Sequence, residues 1–220
     1  MSIKDNLKNI KSRIPENVTL VAVSKTKPVS DLMEAYNTGQ RIFGENKIQE
    51  MADKHAEMPK DIEWHMIGHV QRNKVKYMAE FVSLIHGVDS FKLLREIDKQ
   101  AKNHNRTIDC LLQIKIAEED SKFGMSVSDA SALLQSNEFS ELKNIKVVGL
   151  MGMATFTGNM NQVEKEFKFL NNTFSELKNT NPELKIKSMG MSGDYQLAIA
   201  CGSTMVRVGS SIFGVRNYNN

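Results

Sequence analysis

The stretch VAVSKTKP, Val21 to Pro28, decides how the chain is read. Small and β-branched apolar residues, the composition of a buried strand, run into a lysine, and a proline follows that a central strand does not tolerate. Lysine is rarely buried, so its place at the end of such a run needs a reason. Strand geometry alternates faces, which puts Val21, Val23 and Lys25 on one side. In a closed parallel barrel that side is the interior, and the strand end is the mouth where ligands sit.

The rest of the chain supplies the other strands. Ile3, Leu7, Ile10 and Ile14 recur at helical spacing and predict an opening amphipathic helix. Further strands are predicted at 41–43, 63–67, 82–86, 108–116, 147–151, 186–189 and 205–208, after a first at 20–24. Between them lie helix signals. Ser30-Asp31 is expected to cap a short helix ending near Gly39, and another helix begins near Asn46. Ser90 precedes Phe91, Leu94 and Ile97, and Ser126-x-x-Asp129 reads as a capping box before Ala130, Leu133 and Leu134. Val163, Phe167, Leu170, Phe174 and Leu177 form the clearest helical stripe. Eight strands alternating with helices imply an α/β fold, a single (β/α)8 TIM barrel over residues 1–220 with an extra N-terminal helix. An open doubly wound sheet is the rival, but no G-x-G-x-x-G follows the first strand.

Composition excludes several functions. Forty per cent apolar and 25 % charged residues, with a net charge of +3, describe an ordinary globular chain. The lysines are interspersed with acids, so neither nucleic acid nor membrane is an expected partner. No apolar run reaches membrane-spanning length, and the charged opening residues, which lack an apolar stretch, lead us to expect no signal peptide. The two cysteines, Cys110 and Cys201, are far apart in apolar strings, which suits a reducing, cytoplasmic setting. His65 and His69 lack acidic or cysteine companions, so no metal is expected. The methionines near strand ends, Met66, Met151, Met153, Met189, Met191 and Met205, are read as filler of irregular space.

Polar and glycine residues gather at the predicted strand ends. A lysine in a partly desolvated pocket loses proton affinity and becomes nucleophilic enough to form a Schiff base; the alternative is a lysine that snorkels to water. Gly209-Ser210-Ser211, after the last strand, offers backbone N–H groups and hydroxyls where barrels commonly bind phosphate, with Ser192 and Gly193 one loop earlier. Arg207, on the last strand, needs an acceptor or an acid partner. A lysine, a phosphate cup and an arginine together suggest pyridoxal 5′-phosphate (PLP), with the arginine facing the pyridine nitrogen. An arginine there favours the unprotonated nitrogen and weakens carbanion chemistry.

The chain resembles the YggS/PROSC family of pyridoxal-phosphate homeostasis proteins. The matching blocks are residues 21–28, Phe43-Gly44-Glu45-Asn46, Trp64-His65-Met66-Ile67-Gly68 with Gln71-Arg72-Asn73-Lys74, Gly149-Leu150-Met151, Ser188-Met189-Gly190-Met191-Ser192, and residues 202–214. His69 departs from the pattern, the family usually having proline there. The resemblance implies an alanine-racemase-like barrel (PLP fold type III) with an imine at Lys25. It implies phosphate contacts from Ser192, Gly209 and Ser210, a further one from Ser188, and Arg207 near the ring. It makes Asn46 and His65 ring neighbours.

Two functions follow as expectations. One is a monomeric, non-catalytic carrier that buffers PLP and serves client enzymes, with Lys27 and Lys122 as candidate transfer groups. The other is an amino-acid racemase, which needs an acid/base group on each face of its substrate. Lys25 would serve one face. Alanine racemases take the second from a tyrosine of a separate domain, expected to be absent here. Of the four tyrosines, Tyr36, Tyr77, Tyr195 and Tyr218, only Tyr195 lies near the predicted cup. A cofactor-free Schiff-base aldolase would share the lysine but leave the protein colourless.

Overall fold

Parallel strands need long crossovers, and this chain provides one between each pair. The computed structural model describes residues 2–118 and 123–214. Strands β1 (Thr19–Val23), β2 (Ile42–Glu45), β3 (Glu63–Met66), β4 (Leu84–Val88), β5 (Ile108–Gln113), β6 (Ile145–Met151), β7 (Ile186–Met191) and β8 (Met205–Val208) pair in parallel in chain order. β8 then pairs with β1, Val21 opposite Arg207, and the barrel closes.

The helices are α1 (Ile3–Lys11), α2 (Val29–Asn37), α3 (Ile48–Glu57), α4 (Phe91–Asn103), α5 (Val127–Gln135), α6 (Asn137–Ser140), α7 (Met160–Thr180), α8 (Tyr195–Ala200) and α9 (Ser210–Phe213). A 3-10 helix, Arg72–Tyr77, replaces an α-helix between β3 and β4. α1 is the expected extra helix. Ser2 and Asp5 form a reciprocal capping box, and Leu7 and Ile10 are buried. It packs against α2 and α9, and Asn6 Nδ2 donates to the Ile212 carbonyl, tying the N-terminus to the last turn.

The strands sort their side chains onto two faces. Inside, Val21, Leu84, Leu111, Met151 and Met205 fill the barrel. Outside, Leu20, Ala22, Phe43 and Trp64 join the helix stripes, including Phe167 and Leu170, in a larger layer. Each large, fully buried side chain there contributes about 1.5–3 kcal/mol. Gly44 faces inward, where a Cβ would sit 2.9 Å from Val21 Cγ1 and 3.2 Å from Ile67. The glycine keeps the barrel interior from being overpacked.

Several boundaries differ from expectation. β2 runs on to Glu45, so Glu45 is a strand residue, not the start of a loop. β4 lies two residues further along than predicted, because Ala79 and Val82 close turns behind the 3-10 helix. β7 continues through Gly190 and Met191. α2 is entered through Pro28, with no side-chain cap from Ser30. The Ser90 cap holds, its hydroxyl accepting from the Leu93 N–H. Ser126 also caps α5: its hydroxyl accepts from the Asp129 backbone N–H and donates to the Asp129 carboxylate.

Candidate functional site

The C-terminal ends of the strands enclose a cavity of about 530 Å³. Lys25, Asn46, Ser192, Arg207, Gly209 and Ser210, from β1, β2, β7 and β8 or the turns after them, all line it. Lys27, His69, Gln113, Gly193, Asp194 and the apolar side chains of Val23, Ile67, Phe123, Met153, Phe156 and Met191 also line it. Lys122 and Tyr218 lie outside the described residues.

β1 and its turn deliver Lys25. The inward row Val21, Val23, Lys25 ends over the cavity, and the chain then turns sharply. Thr26 adopts φ 63°, the left-handed region that β-branched residues avoid. Its hydroxyl donates to the Lys25 carbonyl (2.6 Å), and the Lys27 N–H donates back to the Ser24 carbonyl (3.1 Å). Lys27 Nζ reaches the Phe213 carbonyl at 2.8 Å, linking this turn to α9.

The turn after β8 faces it. Ser192 Oγ accepts from the Gly209 N–H at 3.0 Å and lies 3.5 Å from the Ser211 N–H. Two backbone donors thus converge on one acceptor oxygen at the cavity edge. Gly193 is open on its Cβ side, with nothing within 4 Å. The preceding bend is fixed by the Asp194 carboxylate, which accepts from the Met191 N–H at 2.6 Å.

Arg207 forms the floor and is 4 % exposed. Its guanidinium donates to the Ser188 carbonyl (2.9 Å), the Ser188 hydroxyl (2.5 Å) and the Gly152 carbonyl (3.1 Å). Burial pulls its pKa down to about 10, against the pull of Asp194. Ser188 and His65 lie beneath the cavity and not on its wall. The Ser188 hydroxyl also meets His86 Nδ1 at 2.9 Å, and His86 Nε2 meets His65 Nδ1 at 3.0 Å. Arg207, Ser188, His86 and His65 therefore form one buried polar chain across the barrel. Burial pushes His65 down to about 3, and His86 well below its ordinary value, with His65 and Arg207 adding to the effect. Both rings are neutral at physiological pH, as suits neighbours of a buried arginine.

Sequence reasoning missed His86. It stands in a run, Leu84-Ile85-His86-Gly87-Val88, in which every residue is buried, so nothing marked it out. The available signal was strand parity, since His86 shares the inward face of Leu84. The departure at His69 has a local partner. Its ring stacks on Phe123 at 4.4 Å, and Nδ1 lies 3.5 Å from Asp89 Oδ2. Tyr195 is 6 % exposed and packs in the layer between strands and helices. Among the described residues, no tyrosine lines the cavity.

A closed eight-stranded parallel barrel with a lysine at its first strand end and a glycine–serine turn at its last defines a class. The family model described as "Alanine racemase, N-terminal domain" matches residues 1–217. The fold is shared with an alanine racemase of Clostridium difficile (TM-score 0.77, 14 % identity, 99 % of this chain and 58 % of that one). Nearer relatives narrow the class. A pyridoxal phosphate homeostasis protein of Pasteurella multocida is 37 % identical over the whole of both chains, and that of Escherichia coli K12 is 36 % identical over 94 % of this chain and 89 % of that one. PipY of Synechococcus elongatus, solved without PLP, superposes with TM-score 0.91 at 36 % identity, covering 97 % of this chain and all of that one. PipY has also been solved with PLP bound (TM-score 0.89, 35 % identity). The chain belongs to the family of pyridoxal phosphate homeostasis proteins.

Proposed function

We propose that this protein binds pyridoxal 5′-phosphate on Lys25 and serves intracellular PLP homeostasis as a carrier. The observation that supports it most is the shared cavity. The β1 amine, the β8 guanidinium and the Gly209–Ser210 turn all face one volume, although they are far apart in sequence.

The residues present fit the cofactor. Ser192 Oγ occupies the point on which the Gly209 and Ser211 N–H groups converge, an arrangement suited to an anionic oxygen. Ser192, Gly209 and Ser210 would hold the phosphate, Arg207 would face the ring nitrogen, and Asn46 would border the ring. His65 and Ser188 act one step removed, by holding Arg207 through the buried chain. When bound, the cofactor would supply an aldehyde, a group with which the Lys25 amine can condense.

The chain's own residues do the rest. Val23, Ile67 and Met153 form an apolar wall that limits water, and Arg207, held by three acceptors, presents a fixed cation. A cation does not protonate the ring nitrogen, so deprotonation of a bound amino acid would gain little. The carrier reading follows from that and from the packing of Tyr195 away from the cavity. It extends to a cytoplasmic monomer that hands PLP to client enzymes. The two thiols, Cys110 and Cys201, are buried and unpaired with each other, as suits a reducing compartment.

Absorbance tests the reading. Protein loaded with PLP and freed of unbound cofactor by gel filtration is expected to be yellow, and Lys25→Ala treated alike to be colourless. Equal colour in both proteins would show that Lys25 is not the attachment point.

A further inference from the structure

A buried ionic cluster lies behind the barrel wall, next to the turn that carries Lys25. Lys54 extends from α3 with its side chain 7 % exposed. Its Nζ donates to the Ser24 carbonyl (2.8 Å), Glu45 Oε1 (2.8 Å) and Glu50 Oε1 (2.7 Å), so all three protons are used. Ser24 Oγ donates to the same Glu45 oxygen at 2.6 Å. Glu45 Oε2 is buried with no hydrogen-bond partner, and burial raises the Glu45 pKa despite Lys54 and Ser24.

Such a cluster is a poor device for stability alone, because well-packed apolar residues serve as well or better. Its contacts point to another task. The Ser24 carbonyl, one residue before Lys25, is gripped by Lys54. The Thr26 N–H, one residue after, donates to Glu50 Oε1 at 2.5 Å. Thr26 is the residue in the left-handed region, a conformation that persists only where its surroundings over-determine it. The backbone is thus clamped on both sides of Lys25 by one ion pair.

We propose that Lys54 and Glu50 are positioning residues for Lys25: they clamp Ser24 and Thr26 so that the amine is held over the cavity in the orientation needed to meet an aldehyde. The proposal rests on Lys25 being the PLP lysine. Glu50 is the residue to change, since its side chain is 22 % exposed and the fold tolerates its loss better than loss of Lys54.

Three full-length proteins are compared: the parent, Glu50→Ala and Glu50→Gln, which keeps an acceptor oxygen. Urea unfolding checks that each is folded. In the protein without PLP, exchange of the Thr26 amide proton is expected to speed up about tenfold or more in Glu50→Ala and to change little in Glu50→Gln. With PLP added, Glu50→Ala is expected to bind about tenfold more weakly and to shift the pH midpoint of its absorbance band, and Glu50→Gln to stay near the parent. Thr26 exchange equal in all three proteins would overturn the clamp. Faster exchange with unchanged PLP affinity and absorbance would overturn its role in positioning Lys25. A parent protein that takes up no PLP would refute the cofactor reading instead, and the exchange measurement would still decide the clamp.

Discussion

Lowering the pH from 7 to 5 is expected to remove about 2 kcal/mol or more from the stability of this protein without PLP. The perturbation acts on His65 and His86, which are 3 % and 0 % exposed. Burial holds His65 down to about 3 and His86 well below its ordinary value. In the unfolded chain both titrate near about 6.5. A histidine whose folded pKa is depressed is neutral in the fold and charged in the open chain below pH 6.5. The unfolded state then binds more protons, so stability falls as pH falls. At pH 5, about 1.5 units below the unfolded value, His65 costs about 2 kcal/mol at about 1.36 kcal/mol per unit, and His86 adds in the same direction. That is a sizeable share of the roughly 5–15 kcal/mol that holds a typical domain. Burial raises the Glu45 and Asp109 carboxyls, which therefore act in the opposite sense, so the histidine contribution is read against a variant that lacks both rings. Half-buried His55, also lowered by burial, adds in the same direction as the two rings. The assay is urea unfolding at fixed pH values, with His65→Gln/His86→Asn as the comparison. That variant is expected to show a much flatter pH dependence. A parent protein losing less than about 1 kcal/mol over this range would refute the account of the buried chain.

Other outcomes follow from single contacts. Ser192→Ala removes the oxygen on which the Gly209 and Ser211 N–H groups converge. PLP affinity should fall about tenfold, about 1.4 kcal/mol, by absorbance titration, and an unchanged affinity would take Ser192 out of the phosphate cup. Gly190→Ala places a Cβ 2.5 Å from that of Ala198 at φ +96°. It should destabilise the fold by about 2–4 kcal/mol in urea; a neutral result would mean that β7 and α8 shift apart easily. The PLP-loaded protein should leave L-alanine and L-serine enantiomerically pure by chiral chromatography. Racemisation at enzyme-like rates, lost on Tyr195→Phe, would contradict the carrier reading.

The barrel was legible because its strands are short apolar runs with helical stripes between them, and β8 was bounded correctly at Met205–Val208. β4 was displaced because the Arg72–Tyr77 connector is a 3-10 helix, whose period gives no amphipathic stripe. The cavity lining was legible where a residue lay near the end of a strand or just after it: Lys25, Asn46, Ser192, Gly209 and Ser210 follow strands, Arg207 is within β8, and all reach it. Residues deeper in the barrel were harder to read. Ser188 and His65, expected near the phosphate and the ring, are joined in the structure through His86, a link the sequence did not show. That chain depends on the register of β3, β4 and β7, which no local pattern encodes. Lys54 was invisible for a similar reason. Spaced four residues from Glu50 on a helix, it reads as a surface ion pair, and only the docking of α3 behind β1 and β2 brings it to Ser24 and Glu45.

The most direct test of the cofactor site is chemical. Protein incubated with PLP is reduced with borohydride, digested with trypsin and mapped by mass spectrometry. The predicted result is one stable pyridoxyl adduct on the peptide containing Lys25. An adduct confined to another lysine, or none at all, would contradict it.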